Sequence, residues 1–598
     1  MIDYYLGSHR PQSHIFNCRM IISQPAPKQR LSLPNWIPGS YMIRDYAKHV
    51  ILIQAFVGQD AVNQEIGQEI ALQKINSNTW ECDNHNADET LIIVYTVYAW
   101  DPSVRGAHLD AYHGFVNGCC VFLKAQGKEN QACSVTLLRP EIEEASDWQV
   151  ATTLMPDKAS GACAWGFGRY LAQDYEDLID HPIEMGNFER VSFTVADVPH
   201  HIVVSGQHDG DVKRLSMDVA KICATHIALF QTPAPFKQYL FLLTVSKTGY
   251  GGLEHKDCSA LLDQRDALPV VGDPSQSPAY IGLLALFSHE YFHAWNIKRI
   301  KPVAFSPYDH DHKNYTNQLW FFEGVTSYYD DLALVRAQVI SPEQYVEGLS
   351  KLLTRYSRNG GRKVQTLAES SFDAWIKFYQ PNENSINATV NYYHKGAIVA
   401  LCVDLALRQQ GASLDEVMRY LWQHYGLPEE GIPEGEIEKI INNHSQGTLG
   451  EWLKKALYTT QTLVLDDLLS QVGIALRDVY SVLEEDIVGN KLGCSLTKTQ
   501  NSIFIAQIFE GGAACLAGLS AQDELVAING LKVDAESYIK IIKRLKGQET
   551  IRVDFFRQDS LKNLSMTVQM PVPDTLEMTL LPLEEQTPAQ RRQAWLYG

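Results

Sequence analysis

The chain has 598 residues, more than one hydrophobic core supports, and at about 150 residues per domain it should form three or four domains. Hydrophobic residues make up 45% and charged residues 20%, the balance of a globular protein. A net charge of −19 argues against nucleic acid or an anionic membrane as the main partner. No run of about 18 apolar residues appears, so no membrane span is expected. The opening residues lack a basic stretch followed by an apolar one, and the 11 cysteines are scattered without a C-x-x-C pair. A cytoplasmic chain with reduced, mostly buried thiols is the expectation.

Residues 1–168 read as short strands, such as the β-branched and aromatic run Leu91–Tyr98. Turn clusters at Pro38–Ser40 and Asp83–Asn86 separate them. An antiparallel β domain is expected there. The next 70 or so residues look mixed and end in the apolar strand Tyr239–Val245. From about 277 to 470 the period becomes helical, with amphipathic stretches around 281–297, 317–338, 391–409 and 412–424. Residues 169–480 are taken as one mainly helical domain. Short strands and Gly-rich turns return over 485–575, and 576–598 reads as a helical tail. The fold class is multidomain α+β.

The chemistry centres on Phe287–Trp295, which contains H-E-x-x-H. Ser277 is a suitable N-cap, Pro278 a suitable first helical residue, and the helix should end before Pro302. Lys298, Arg299 and Lys301 would then favour its C-terminal end. His289 and His293 are four apart and share one helical face, as two imidazoles on one zinc ion must. Glu290 stands beside the first ligand, placed to take a proton from activated water. A catalytic zinc needs a third protein ligand, and the segment Leu319–Asp330 offers Glu323 in an otherwise apolar run. Asp330, seven residues on, shares its face and is a candidate to orient a ligand histidine; a solvated charge is the equal alternative.

These paired segments resemble the gluzincin peptidases, where a glutamate on the next helix completes the site. The phrase W-F-F-E-G-x-T-S at 320–327 looks like the third-ligand segment of the aminopeptidase N family. The spacing from His293 to Glu323 is longer than in those relatives. The excess around Asp309–Asn314 reads as a surface loop; its alternating Asp and His residues are a weaker metal-site candidate. Gly251-Gly252-Leu253-Glu254-His255 resembles the G-x-M-E-N motif of that family, which implies that Glu254 holds the substrate's free α-amino group. Tyr393 and Gly396 fall in a stretch similar to its Y-E-K-G segment, which implies that the Tyr393 hydroxyl donates to the oxyanion.

Over nearly its whole length the chain resembles the bacterial glycyl aminopeptidase family that carries a PDZ domain. The phrases Pro34–Tyr46 and Gly114–Gly118 look like its signatures. The resemblance implies a thermolysin-like catalytic domain, one zinc ion per chain, peptide substrates with a free N-terminus, and a preference for glycine and alanine. Residues 485–575 are similar to a PDZ domain, with Leu492 and Gly493 in the loop that would capture a peptide carboxylate. Packing support for the catalytic domain is the equal alternative. Two rival functions remain: a zinc endopeptidase on the same scaffold, and a catalytically silent binding protein.

Overall fold

Alternating side chains set the first strands. In β1 (Ile2–Gly7) and β2 (Ile15–Ile22), Ile2, Tyr4, Leu6, Phe16, Cys18 and Met20 are buried, whereas Asp3, Asn17 and Arg19 are not. With β3 (Val50–Gly58), β4 (Gln68–Ile70), β5 (Thr90–Tyr98), β6 (Cys133–Leu137), β7 (Met155–Pro156) and β8 (Gly168–Ala172) they form one sheet of order β7-β8-β6-β1-β2-β5-β3-β4. The computed structural model describes residues 1–58, 67–83, 89–582 and 586–598. The expected turn at Asp83–Asn86 lies outside the described residues from Asn84 on. An antiparallel sheet was expected, and one pair departs from it: β1 and β6 run parallel. The long excursion between them lets the chain return in the same direction, which a hairpin cannot do.

The chain divides into two compact units. The first comprises 1–314, 337–339 and 418–432. Beyond the strands above it holds β9 (Glu189–Val195), β10 (Val198–Ser205), β11 (Tyr239–Ser246), β12 (Gly251–Glu254) and β13 (Cys258–Gln264), in the order β9-β10-β11-β13-β12. Helix α1 (Val212–Phe230) joins the parallel strands β10 and β11. The edge strand β12 runs antiparallel to β13, pairing Leu253 with Ala260 and Glu254 with Ser259. Side chains alternate along a strand, so positions 252 and 254 share one face.

Helix α2 (Pro278–Phe292) starts as expected: the Ser277 hydroxyl accepts from the Tyr280 N–H at 3.0 Å, and Pro278 occupies the first turn. Aromatic pairs seat it, with Tyr291 edge-on to Tyr239 at 4.7 Å and Phe287 against Phe241 at 4.9 Å. It ends before Pro302, as expected, but short of the 281–297 stretch. The helix stops at Phe292, and Ile297 adopts a positive φ of 95°. Lys298 and Arg299 therefore do not cap it. Lys298 Nζ lies 2.6 Å from Asp180 Oδ1 instead. Arg299 donates to the carbonyls of Ala294 (2.7 Å), Lys256 (2.8 Å) and Pro235 (3.0 Å).

The second unit comprises 315–336, 340–417 and 433–598. The helix expected over 317–338 is two pieces, α3 (Leu319–Phe322) and α4 (Gly324–Arg336), meeting at Glu323. Helix α5 (Tyr392–Gln409) crosses them where Gly324 and Gly396 allow backbone contact; a Cβ on Gly396 would fall 2.8 Å from Gly324 Cα. Farther on come β14 (Ile474–Val479), α6 (Glu484–Leu492), β15 (Cys494–Lys498), β16 (Ile503–Ile508), β17 (Glu524–Ile528), α7 (Tyr538–Arg544), β18 (Thr550–Arg557) and β19 (Ser560–Thr567). Strands β15 to β19 form a sheet in that order around a core that includes Ile503, Ile505, Ile542 and Val553. The last residues are more than a helical tail. Strand β20 (Thr575–Leu580) pairs with β14, and α8 (Gln586–Tyr597) buries Trp595 completely. Among the described residues no single helix is long and apolar enough to cross a membrane.

Candidate metal centre

Within the first unit, the last turn of α2 presents His289 and His293 with ring centroids 4.6 Å apart and planes at 89°. His293 is 2% exposed, and its Nδ1 donates to the carbonyl of Asn296 at 2.8 Å. A carbonyl only accepts, so Nδ1 carries the proton and Nε2 keeps its lone pair for a metal. That is how a metal-binding imidazole is prepared, and a second ring one helical turn away, His289, fits the same ion.

Glu290 and Glu254 lie beside them, both nearly buried. Ligand atoms of Glu254, Glu290 and His293 fall within 4.8 Å of one another. Two carboxylates at that separation repel by about 3–4 kcal/mol at an effective dielectric of about 20. A cation between or beside them removes the penalty. Gly252 makes this approach possible: a Cβ there would fall 2.6 Å from Glu290 Cγ and closer still to its carboxylate. Arg105 fixes the strand by donating to the Gly252 carbonyl at 3.1 Å. The neighbouring Gly251 also faces this guanidinium, 3.1 Å from a Cβ position to Arg105 NH1.

In the second unit Glu323 sits at the break between α3 and α4, 2% exposed. Asp330 follows on α4, part-buried. Tyr393, near the start of α5, stacks on Phe378 (5.5 Å, 28°), and its hydroxyl lies 3.3 Å from that of Tyr379. The adjacent Tyr392 is fully buried and packs in the same aromatic group, 4.9 Å from Phe378. Leu492 is the last residue of α6, and Gly493 closes it in a left-handed conformation with its N–H bonded to the Gly489 carbonyl at 2.9 Å. That N–H is engaged in ending a helix.

The Asp309–Asn314 segment is a loop, as expected, but not a loose surface one. The Trp36 indole donates to the Asp309 carbonyl (2.7 Å), the Asn35 N–H to that of His310 (2.8 Å), and Asn78 to Asp311 Oδ1 (2.7 Å). His310 is 6% exposed, and burial foremost, with Lys124 next, pushes its imidazole down to about 4. Sequence reasoning missed Arg105, Asn296 and Gly39. Only Gly39 carried a signal, since Pro-Gly marks a turn.

Two family models match the chain: the peptidase M61 N-terminal domain over residues 3–187, and the M61 glycyl aminopeptidase over 282–399. No curated protein matches it. Among solved structures, an aminopeptidase N family protein from Idiomarina loihiensis is 35% identical, covers 100% of both chains and superposes with a TM-score of 0.93. An M1 zinc metallopeptidase from Deinococcus radiodurans reaches a TM-score of 0.48 at 11% identity, over 78% of this chain and 94% of that one. A mutant of it bound to a Tyr-Ser-Ala substrate gives 0.47 at 12%, over 77% and 94%. With identity running the full length of the first of these chains, and a family model covering the H-E-x-x-H motif, this chain belongs to the M61 glycyl aminopeptidase family.

Proposed function

We propose that the protein removes N-terminal residues, glycine and alanine foremost, from peptides, using one zinc ion per chain held by His289, His293 and Glu323. The zinc, when bound, supplies a Lewis acid and lowers the pKa of water. Glu290 accepts the proton of the attacking water and passes it to the leaving amine. Glu254 pairs with the substrate's ammonium group, and the edge strand at Gly251 and Gly252 offers backbone to an extended substrate. The Tyr393 hydroxyl donates to the developing oxyanion. Asp330 orients a ligand imidazole. The observation that carries this reading is the pair of buried carboxylates, Glu254 and Glu290, beside His293. One serves as base, and the other is best satisfied by a substrate ammonium, which an internal peptide bond lacks.

The domains are read as 1–168, a β domain; 169–480, a thermolysin-like catalytic domain; 485–575, a PDZ-like module; and 576–598, a C-terminal strap. The module serves as packing support rather than as a peptide receptor. The engaged N–H of Gly493 supports this, as does Asn387, which accepts from the Glu510 N–H (2.9 Å) and donates to the Ile508 carbonyl (2.8 Å).

The test is cleavage of glycyl-, alanyl- and leucyl-anilides against the same compounds N-acetylated, with Glu290→Gln as the inactive control. Glycyl and alanyl anilides should be cut and the acetylated ones spared. Turnover of blocked substrates at comparable rates would make the enzyme an endopeptidase.

A further inference from the structure

Ile37-Pro38-Gly39-Ser40 forms a tight turn in which the Ser40 N–H returns to the Ile37 carbonyl at 3.0 Å and Gly39 has a φ of +92°. Proline in the second position and a left-handed residue in the third define a type II turn. Its flanks are pinned. The Arg44 guanidinium donates to Ser40 Oγ (2.7 Å), and the Arg44 N–H donates to the Asn35 carbonyl (2.7 Å). Asn35 and Trp36 in turn hold the Asp309–Asp311 backbone. Trp36, Ser40 and Tyr41 are all fully buried.

Against this backbone lies Glu254. A Cβ on Gly39 would fall 2.6 Å from Oε1 and 2.7 Å from Cδ of Glu254, and closer still to Oε2. Gly39 is 215 positions away in sequence and belongs to the N-terminal domain. We propose that Gly39 is a positioning residue for amine recognition: the Pro38–Ser40 turn is the wall against which the Glu254 carboxylate is set, so the N-terminal β domain takes part in selecting a free N-terminus. The inference rests on the reading of Glu254 as partner of the substrate's ammonium. Because the turn is pinned and a carboxylate is the far end of a flexible side chain, added bulk at position 39 displaces the carboxylate rather than the turn.

The experiment measures kcat and KM for glycyl anilide with the zinc enzyme and a set of variants. Gly39→Ala should raise KM about tenfold or more with a much smaller change in kcat, because it disturbs binding of the amine and not the base. Gly161→Ala is the control for backbone strain: Gly161 has a φ of +86° but nothing within 4 Å of a Cβ. It should leave both constants unchanged. Glu254→Asp withdraws the carboxylate by one methylene, so adding Gly39→Ala to it should cost little further; the two effects are expected to be strongly non-additive. A wild-type KM in Gly39→Ala, or full additivity with Glu254→Asp, overturns the proposal. If Gly39→Ala folds poorly, Arg44→Ala loosens the same turn without touching Glu254; it too should raise KM, and an unchanged KM there is equally fatal. Separately, a Glu254→Ala enzyme that still rejects N-acetylated substrate and keeps its KM would sink the reading of Glu254 itself, whatever Gly39 does.

Discussion

Gly252 lies against Glu290 so closely that a Cβ at position 252 would stand 2.6 Å from Glu290 Cγ. The strand edge and the ligand helix share that space, and only a residue without a side chain leaves it to the carboxylate. Gly252→Ala should therefore act as a lesion of Glu290. A fall in kcat of roughly 10²–10⁴ is expected, the range of a lost general base. Zinc content by elemental analysis should stay at the wild-type level, since both imidazoles are untouched.

Removing the metal should cost stability as well as activity. A ligand bound only by the folded state at about a thousand times its dissociation constant adds roughly 4 kcal/mol. Chelated protein should melt at a lower temperature in differential scanning fluorimetry, and added zinc should restore the transition. His293→Ala should melt low with or without zinc.

Tyr393→Phe should lower kcat by about 10²–10³ and leave KM near its wild-type value, the signature of a donor used only in the transition state. Steady-state kinetics on alanyl anilide would read it. A matching rise in KM would assign the hydroxyl to ground-state binding instead.

Burial alone would raise the Asp180 carboxyl, but the Lys298 ammonium and then the His255 imidazole outweigh it and hold the group well below the usual carboxylate range. A depressed carboxyl contributes stability that is present above its unfolded pKa of about 4 and is lost as pH falls towards the folded value. Asp180→Asn should destabilise the protein by about 3–5 kcal/mol at neutral pH, because Lys298 is left buried without its partner. The gap between variant and wild type should narrow as pH is lowered from about 7 towards about 3, measured by urea unfolding at each pH.

Trp595 ties the C-terminal helix into the second unit. Its indole N–H donates to the Tyr328 hydroxyl (2.9 Å), which donates to Asp404 (2.6 Å), where Arg408 also binds (3.0 Å). Trp595→Ala should cost about 3–5 kcal/mol, the range for a large aromatic side chain removed from a core. Thermal unfolding would measure it; a change below about 1 kcal/mol would mean the last helix is dispensable.

What was legible in the sequence was local. Ser277 and Pro278 start a helix through bonds within one turn, and His289 and His293 share a face because residues four apart must. The β-branched and aromatic run Leu91–Tyr98 and the apolar run at Tyr239–Val245 likewise report strands through their nearest neighbours. Where that helix ends was not legible. Lys298 and Arg299 look like dipole partners, yet Lys298 serves Asp180, and Arg299 binds the distant carbonyls of Lys256 and Pro235 besides the nearby one of Ala294. By itself, then, the sequence determined the H-E-x-x-H helix, the shared face of its histidines and its cap, since these depend on spacing along one segment. Only the tertiary structure decided that Gly252 makes room for Glu290, and that Gly39 backs Glu254. Those contacts join segments far apart in the chain, and a glycine announces flexibility but not the neighbour for which it leaves space.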